Sequence, residues 1–117
     1  MSTSGVVYVL HEPMRFDPGR RELVPIDISQ AEEFGELRVV FPGNDRPPPI
    51  HECLNELKEA MSFYRPCDRL LIAGDMDLFA FAAVLAAKAS DGAITLLKWD
   101  GRKRRYFEVH APVGLLG

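Results

Sequence analysis

Residues 69–109 constrain the fold more than any other stretch, because short apolar runs alternate there with turn residues and one long uncharged run. Arg69 opens a run of apolar residues, and 74–77 then reads Gly-Asp-Met-Asp. The next ten residues, 78–87, carry no charge, and Asp-Gly pairs at 91 and 100 flank a further apolar run. Asp followed by Gly favours a turn. The segment therefore predicts strand, acidic turn, apolar helix, strand, basic hairpin tip and strand.

Two further strands are predicted toward the N-terminus. Residues 6–10 and 37–41 are mainly apolar runs rich in valine, and such runs suit strands that are covered on both faces. Helices between successive strands imply right-handed crossovers and a mainly parallel sheet. We therefore expect a single compact α/β domain over residues 1–117, with a mostly parallel sheet flanked by helices and a C-terminal antiparallel hairpin.

Two helices are predicted before the central strand. Ser29 and Glu32 have the spacing of a capping box, which predicts a short helix that ends at Gly35. From Ile50 to Tyr64, apolar residues recur every three or four positions, with charged and polar residues between them. That period indicates an amphipathic helix with one face on the sheet.

The uncharged run 78–87 predicts a third helix without a polar face. It alternates bulky residues with five alanines. A helix that is apolar all round must be covered nearly all round, so we expect it between the sheet and another element or in a homodimer interface. Phe81→Ala is then expected to cost about 3–5 kcal/mol. The predicted core comprises Leu71, Ile72, Phe81, Leu85, Ile94, Leu96 and Phe107.

Composition and cysteine spacing exclude several classes of protein. The chain is 47% hydrophobic and 26% charged, which is ordinary for a globular protein, and its net charge is only −3. Cys53 and Cys67 have the spacing of neither a zinc site nor a disulfide framework. The N-terminus lacks the pattern of a secretory signal, and the longest apolar run is too short to span a membrane. We expect a cytoplasmic protein with no membrane partner.

The predicted C-terminal hairpin has a basic tip. Five basic residues and one acidic residue give residues 98–105 a net charge of +4, so the remaining residues carry −7 of the chain's total of −3. If the hairpin loop has an even number of residues, one face of the hairpin carries Ile94, Leu96, Phe107 and Val109. We expect that face to pack on the core. The other face then carries Leu97 with the aromatic and basic residues. The predicted binding surface comprises Trp99, Arg102, Lys103, Arg104, Arg105 and Tyr106.

Three interpretations of this tip remain open. It is a solvated turn in which Trp99 packs across the hairpin on Tyr106, a surface for an acidic protein partner, or a surface for nucleic acid. Trp, Tyr and Arg are enriched at binding hot spots, which favours a protein partner. Aromatic side chains also stack on bases while cations meet phosphates, which favours nucleic acid.

The acidic turn between strand and helix also has two interpretations. Asp75 or Asp77 caps the helix and complements its dipole, or the two carboxylates share a divalent cation such as Mg²⁺ with Glu12, which follows the first strand. A Glu after the first strand and an Asp-X-Asp after a later one resemble the Toprim fold. That resemblance implies metal-dependent chemistry on nucleic acid phosphodiesters, with Glu12, Asp75 and Asp77 as the metal ligands.

Several short segments resemble small proteins encoded by tailed bacteriophages that have no assigned activity. These are Phe-Asp-Pro-Gly at 16–19, Phe-Gly-Glu-Leu at 34–37, Gly-Asp at 74–75 with its alanine-rich helix, and Leu-Lys-Trp-Asp at 97–100 with Tyr106. The resemblance implies an accessory factor that acts in the host cytoplasm, and it supplies no catalytic residues. We expect a non-enzymatic interaction protein, without a cofactor, that binds a host or phage protein. The alternative is a Toprim-like enzyme with Mg²⁺.

Overall fold

The fold is a five-stranded sheet with a separate two-stranded hairpin. The computed structural model describes residues 5–43 and 48–111. The strands are β1 (Val6–His11), β2 (Met14–Asp17), β3 (Glu22–Pro25), β4 (Glu36–Phe41), β5 (Arg69–Leu71), β6 (Thr95–Asp100) and β7 (Arg105–His110). The helices are a 3-10 helix (Ser29–Phe34), α1 (Ile50–Met61) and α2 (Met76–Ala89).

The main sheet has the strand order β4-β1-β5-β6-β7. Its first four strands run parallel, and β7 pairs antiparallel with β6. Across the sheet, the connection from β1 to β4 runs in one direction, and the connections from β4 to β5 and from β5 to β6 run in the opposite direction. Right-handed crossovers therefore place the 3-10 helix on one face of the sheet and both α-helices on the other. The predicted α/β fold, with its mostly parallel sheet and C-terminal antiparallel hairpin, is confirmed.

Each face of the sheet carries its own hydrophobic core. On the face of the α-helices, Tyr8, Leu10 and Leu70 from the sheet pack against buried side chains of α1 and α2. On the opposite face, the fully buried Ala31 of the 3-10 helix packs with Val7, Val9, Leu71 and Leu97. Burial on both faces explains why the central strands are continuous apolar runs rather than alternating ones.

A buried hydrogen-bond cluster ties the turn after α1 to the sheet. The Tyr64 hydroxyl donates to the Asp68 carbonyl oxygen at 2.9 Å and accepts from the Thr95 backbone N–H at 3.1 Å. The Asp68 carboxylate accepts backbone N–H groups of Val6 and Arg65, both at 2.8 Å. Three segments that are distant in sequence are thus joined at the amino ends of β1, β5 and β6.

A second polar link crosses the other face of the sheet at the same end. Arg69 Nε donates to a Glu108 carboxylate oxygen at 2.8 Å, and its Nη1 donates to the carbonyl oxygens of Phe34 and Cys67 at 3.1 and 3.0 Å. The ion pair is mostly buried, because only 22% and 28% of the two side chains is exposed. One guanidinium therefore joins β5, β7 and the end of the 3-10 helix.

In the N-terminal half, one hairpin was not predicted and one local prediction is wrong. Glu22–Pro25 forms β3, which pairs antiparallel with β2 in a two-stranded sheet outside the main sheet. Ser29 lies inside the 3-10 helix, whose N-cap is Ile28 with no side-chain cap, so the capping box with Glu32 does not form. The Asp27 carboxylate instead accepts the Ser29 N–H at 2.9 Å. The Asp27 side chain, two residues earlier in the chain, therefore satisfies this backbone donor in place of a Ser29 cap.

The predicted core is correct in part. Leu71 is buried, and Leu85, Ile94 and Leu96 are partly buried against the helix-side core. Ile72, Phe81 and Phe107 are instead 36%, 47% and 39% exposed. The helix α2 turns Leu78, Ala82 and Ala86 toward the sheet, so its small residues allow close approach and Phe81 lies to the side. The predicted cost of Phe81→Ala was therefore too high. No helix within the described ranges is both long and apolar enough to span a bilayer.

Candidate functional site

The tip of the β6–β7 hairpin is held by one aspartate. Asp100 Oδ1 accepts the backbone N–H groups of Arg102 and Lys103 at 3.0 and 3.2 Å, and its carbonyl oxygen accepts the N–H of Arg104 at 2.7 Å. These bonds, the Lys103 N–H first, lower the pKa of the Asp100 carboxyl. Arg104 has a φ of 55°. A left-handed residue before the returning strand is typical of a four-residue hairpin loop.

Trp99 and Tyr106 lie opposite each other on the two strands below this loop. Their ring centroids are 5.0 Å apart in an edge-to-face arrangement, which is the geometry that aromatic pairs prefer. Trp99 remains 41% exposed. Tyr106 is half-buried against the 3-10-helix-side core, and burial, followed by the charge of Asp27, raises the pKa of its hydroxyl. The core therefore fixes the Tyr106 ring, and Tyr106 in turn holds the Trp99 ring at the surface.

The cations of the tip form no salt bridge within the described part of the chain. Arg102, Lys103, Arg104 and Arg105 are all exposed. The three salt bridges of the described residues involve other arginines. The Asp100 carboxylate is engaged by backbone N–H groups of the loop. The tip therefore presents unpaired positive charge beside the exposed ring of Trp99. We call the six residues Trp99, Arg102, Lys103, Arg104, Arg105 and Tyr106 the basic tip.

The predicted hairpin register is confirmed, but the division into buried and exposed faces is partly wrong. Leu96 lies opposite Val109, and Trp99 lies opposite Tyr106, as expected. Leu97, which was placed on the exposed face, is fully buried because the 3-10 helix covers that face. Phe107 and Val109, which were placed in the core, are 39% and 38% exposed. Both faces of β7 are incompletely covered because it is the edge strand.

Asp75 is the N-cap of α2. Its Oδ1 accepts the backbone N–H groups of Asp77 and Leu78 at 2.9 and 3.2 Å. Glu12 and Asp75 follow β1 and β5, whose carboxyl ends lie on the same side of the sheet. Within residues 5–43 and 48–111, however, no three His, Cys, Asp or Glu side chains are grouped closely enough to hold a metal ion. The helix cap is therefore the observed role of this turn, and Asp77 supplies a backbone donor to it.

A polar cleft that the sequence patterns did not indicate lies at the opposite end of the sheet. It has a volume of about 520 Å³ and lies between the start of β1, β4 and the turn after α1. The Arg38 guanidinium lies 5.6 Å from the centroid of the Tyr8 ring and donates to its hydroxyl at 3.4 Å. Burial, followed by the charge of Asp68, raises the pKa of Tyr8. Because both Asp68 carboxylate oxygens accept backbone N–H groups, the aspartate has a structural role here.

Comparison with known proteins identifies the family. The model of the phage Pam3 gp32-like protein family matches residues 5–113. The chain belongs to this family. The match supports the resemblance to phage-encoded proteins of unassigned activity, and it does not support the resemblance to the Toprim fold. No curated protein and no solved structure matches the chain.

Proposed function

We propose that this phage-family protein is a non-enzymatic accessory factor that binds an acidic host or phage protein through its basic tip. The observation that carries the proposal is the group of four exposed cations, none in a salt bridge with another described residue, beside the exposed ring of Trp99. Aromatic and arginine side chains supply most of the binding free energy in protein interfaces. The cytoplasm of the host is the compartment in which such a factor acts.

The two kinds of group at the tip have different roles in binding. The Trp99 ring is held by Tyr106, so little conformational entropy is lost when a partner covers it. The cations lie around it on the hairpin loop and attract an acidic surface from a distance, on a body that is otherwise negative. Removal of the ring should therefore accelerate dissociation, whereas reversal of the charges should slow association.

The experiment compares tip variants with matched variants elsewhere. A partner captured from infected cells is purified and titrated against the wild-type protein and its variants by biolayer interferometry. Trp99→Ala should weaken binding by about 2 kcal/mol or more if the ring is a hot spot. Phe63→Ala is the matched control, since Phe63 is 65% exposed in the turn after α1 and distant from the tip in sequence. Equal losses from both variants would contradict the proposal.

Charge reversal tests the electrostatic part separately. The double variant Arg104→Glu and Arg105→Glu should slow association, and the difference from wild type should shrink as salt is added. The double variant Arg15→Glu and Arg21→Glu changes the net charge equally on the β2–β3 hairpin, where both arginines are exposed. If this control slows association as much, net charge and not the tip governs binding.

Two further outcomes would assign the protein to another class. If single-stranded DNA binds the tip and displaces the captured protein, the surface is a nucleic-acid site. If Asp75→Asn with Asp77→Asn leaves the fold intact but abolishes a Mg²⁺-dependent nuclease activity of the wild type, the protein is an enzyme. If the proposal is correct, the variant with Asp75→Asn and Asp77→Asn still binds the partner, because neither aspartate belongs to the basic tip.

A further inference from the structure

The outer edge of β7 presents backbone groups at alternate residues that bond to no other strand within residues 5–43 and 48–111. The Ala111 N–H donates to the Ile94 carbonyl oxygen at 3.0 Å, which continues the β6–β7 register beyond the strand. In an antiparallel pair, every second residue points its N–H and C=O groups at the partner strand. Residues 105, 107 and 109 therefore bond to β6, whereas Tyr106, Glu108 and His110 direct these groups outward.

The pairing of β6 with β5 independently gives the same alternation of backbone groups along β6. The Ile72 N–H donates to the Leu97 carbonyl oxygen at 2.9 Å, so Leu97 directs its backbone groups toward β5. Its neighbours Leu96 and Lys98 consequently face β7, opposite Val109 and Phe107. Among the described residues, β7 pairs with no strand other than β6. The outer edge of β7 is thus a template for another strand.

The helix-side face of this edge strand is apolar and incompletely covered. Val109 lies opposite Leu96, which packs against the core beneath the α-helices, so Val109 and Phe107 are on the helix side. They are 38% and 39% exposed. An edge strand with an apolar face beside it is a surface that proteins normally cover or interrupt.

We propose that the occupant of this edge is a second copy of the chain, paired antiparallel through β7 with the twofold axis at Phe107. Phe107 then lies opposite its own copy, and Arg105 lies opposite the partner's Val109. Tyr106 and Glu108 exchange backbone hydrogen bonds across the axis, as their outward groups require. The two five-stranded sheets become one continuous sheet, and both copies of α2 lie on the same face of it.

Side chains and charge select this register. A shift of the axis to Glu108 would place two carboxylates directly opposite each other, which is unfavourable in a sheet. A shift to Val109 would leave Tyr106 opposite a residue beyond β7, and a shift to Tyr106 would leave Glu108 opposite Arg104, which belongs to the hairpin loop and not to β7. With the axis at Phe107, two aromatic rings meet at the centre, and aromatic pairs across strands are favourable.

The position of the basic tip also favours the antiparallel arrangement. Arg105, the cation of the basic tip nearest to the axis, lies two residues from it, which is about 7 Å along a strand, so the two copies of Arg105 are about 14 Å apart on opposite sides. That separation exceeds the screening length of about 8 Å at physiological salt, and the repulsion between the tips is therefore weak. The dimer would carry two basic tips. The inference rests on the edge of β7 and does not depend on the proposed function.

Engineered cysteines test the register. Phe107→Cys is made in a Cys67→Ser background, because Cys67 is exposed whereas Cys53 is buried. A residue opposite its own copy at a site without backbone hydrogen bonds has a Cα separation of about 4.5 Å, which suits a disulfide. Oxidised glutathione should therefore cross-link Phe107→Cys to a covalent dimer, whereas Val109→Cys should remain monomeric on a non-reducing gel. Cross-linking of Val109→Cys alone would overturn the register.

Sedimentation tests the dimer without a cysteine. The wild-type protein should show reversible dimerisation over a concentration series, and Phe107→Lys should raise the dissociation constant at least about tenfold, because it buries a charge at the axis. Phe63→Lys replaces another exposed phenylalanine and should leave the constant unchanged. A wild-type protein that is monomeric at high concentration, or equal effects of both variants, would refute the second copy as occupant.

Discussion

The Tyr64 hydroxyl offers the sharpest test of the fold, because one atom joins two segments that are distant in sequence. Tyr64 is 2% exposed, and its hydroxyl contacts the Asp68 carbonyl oxygen at 2.9 Å and the Thr95 N–H at 3.1 Å. The Thr95 carbonyl oxygen is farther away, at 3.4 Å. The hydroxyl proton is therefore assigned to Asp68, and the oxygen accepts from Thr95. Tyr64→Phe removes this oxygen and retains the ring.

The expected loss of stability comes from the two backbone groups that lose their hydrogen-bond partner. The Thr95 N–H loses its acceptor at a residue that is 6% exposed. A buried donor without a partner costs about 1–3 kcal/mol. The Asp68 carbonyl oxygen also loses a donor, but carbonyl groups tolerate this better. We expect Tyr64→Phe to lower the free energy of unfolding by about 2–3 kcal/mol, out of the roughly 5–15 kcal/mol typical of a domain.

The measurement is equilibrium unfolding in urea, followed by circular dichroism and by the fluorescence of the single tryptophan, Trp99. The slope with denaturant should be unchanged, so that the midpoint reports stability alone. Tyr106→Phe is the matched control, because the Tyr106 hydroxyl forms no hydrogen bond with the described residues. It should change stability by less than about 0.5 kcal/mol. Equal effects of the two variants would refute the proposed hydrogen-bond cluster.

The remaining predictions concern alkaline pH, the α2 core and the α2 cap. Burial raises the pKa of Tyr64 from 10.0 to about 12, so the folded state binds the hydroxyl proton more tightly than the unfolded state does. The free energy of unfolding should therefore fall by about 3 kcal/mol as the pH rises from 10 toward 12. Tyr64→Phe should remove most of this slope in urea midpoints. Leu78→Ala should cost about 2–5 kcal/mol, since Leu78 is 1% exposed, whereas Phe81→Ala should cost less than about 1.5; the reverse order in denaturant melts would contradict the observed orientation of α2. Asp75→Ala should cost about 1 kcal/mol by loss of the cap, and Asp75→Asn should cost almost nothing, because Asn caps equally well; a thermal melt in which Asn behaves like Ala would require another role for this carboxylate.

The basic tip was the part of the candidate site that the sequence could predict. Trp99 and Tyr106 belong to two strands joined by an Asp-Gly loop, and in such a hairpin the loop length determines which residues face each other. The observed register agrees with that expectation. The cleft beside Tyr8 could not be predicted in this way. It depends on the distance between the start of β1 and the turn after α1, which lie more than 50 residues apart in sequence.

The amino-acid sequence by itself determined the order of the helices and of the strands in the main sheet, because apolar periodicity and turn residues act over a few neighbouring positions. It did not determine which flank of an apolar helix faces the sheet. In α2 every flank is apolar, so only packing decided that the alanine side is buried and Phe81 is exposed. The same holds for β7, where the position at the sheet edge leaves Phe107 and Val109 partly exposed. Local patterns specify what each segment is, and tertiary packing decides which of its surfaces remain for a partner.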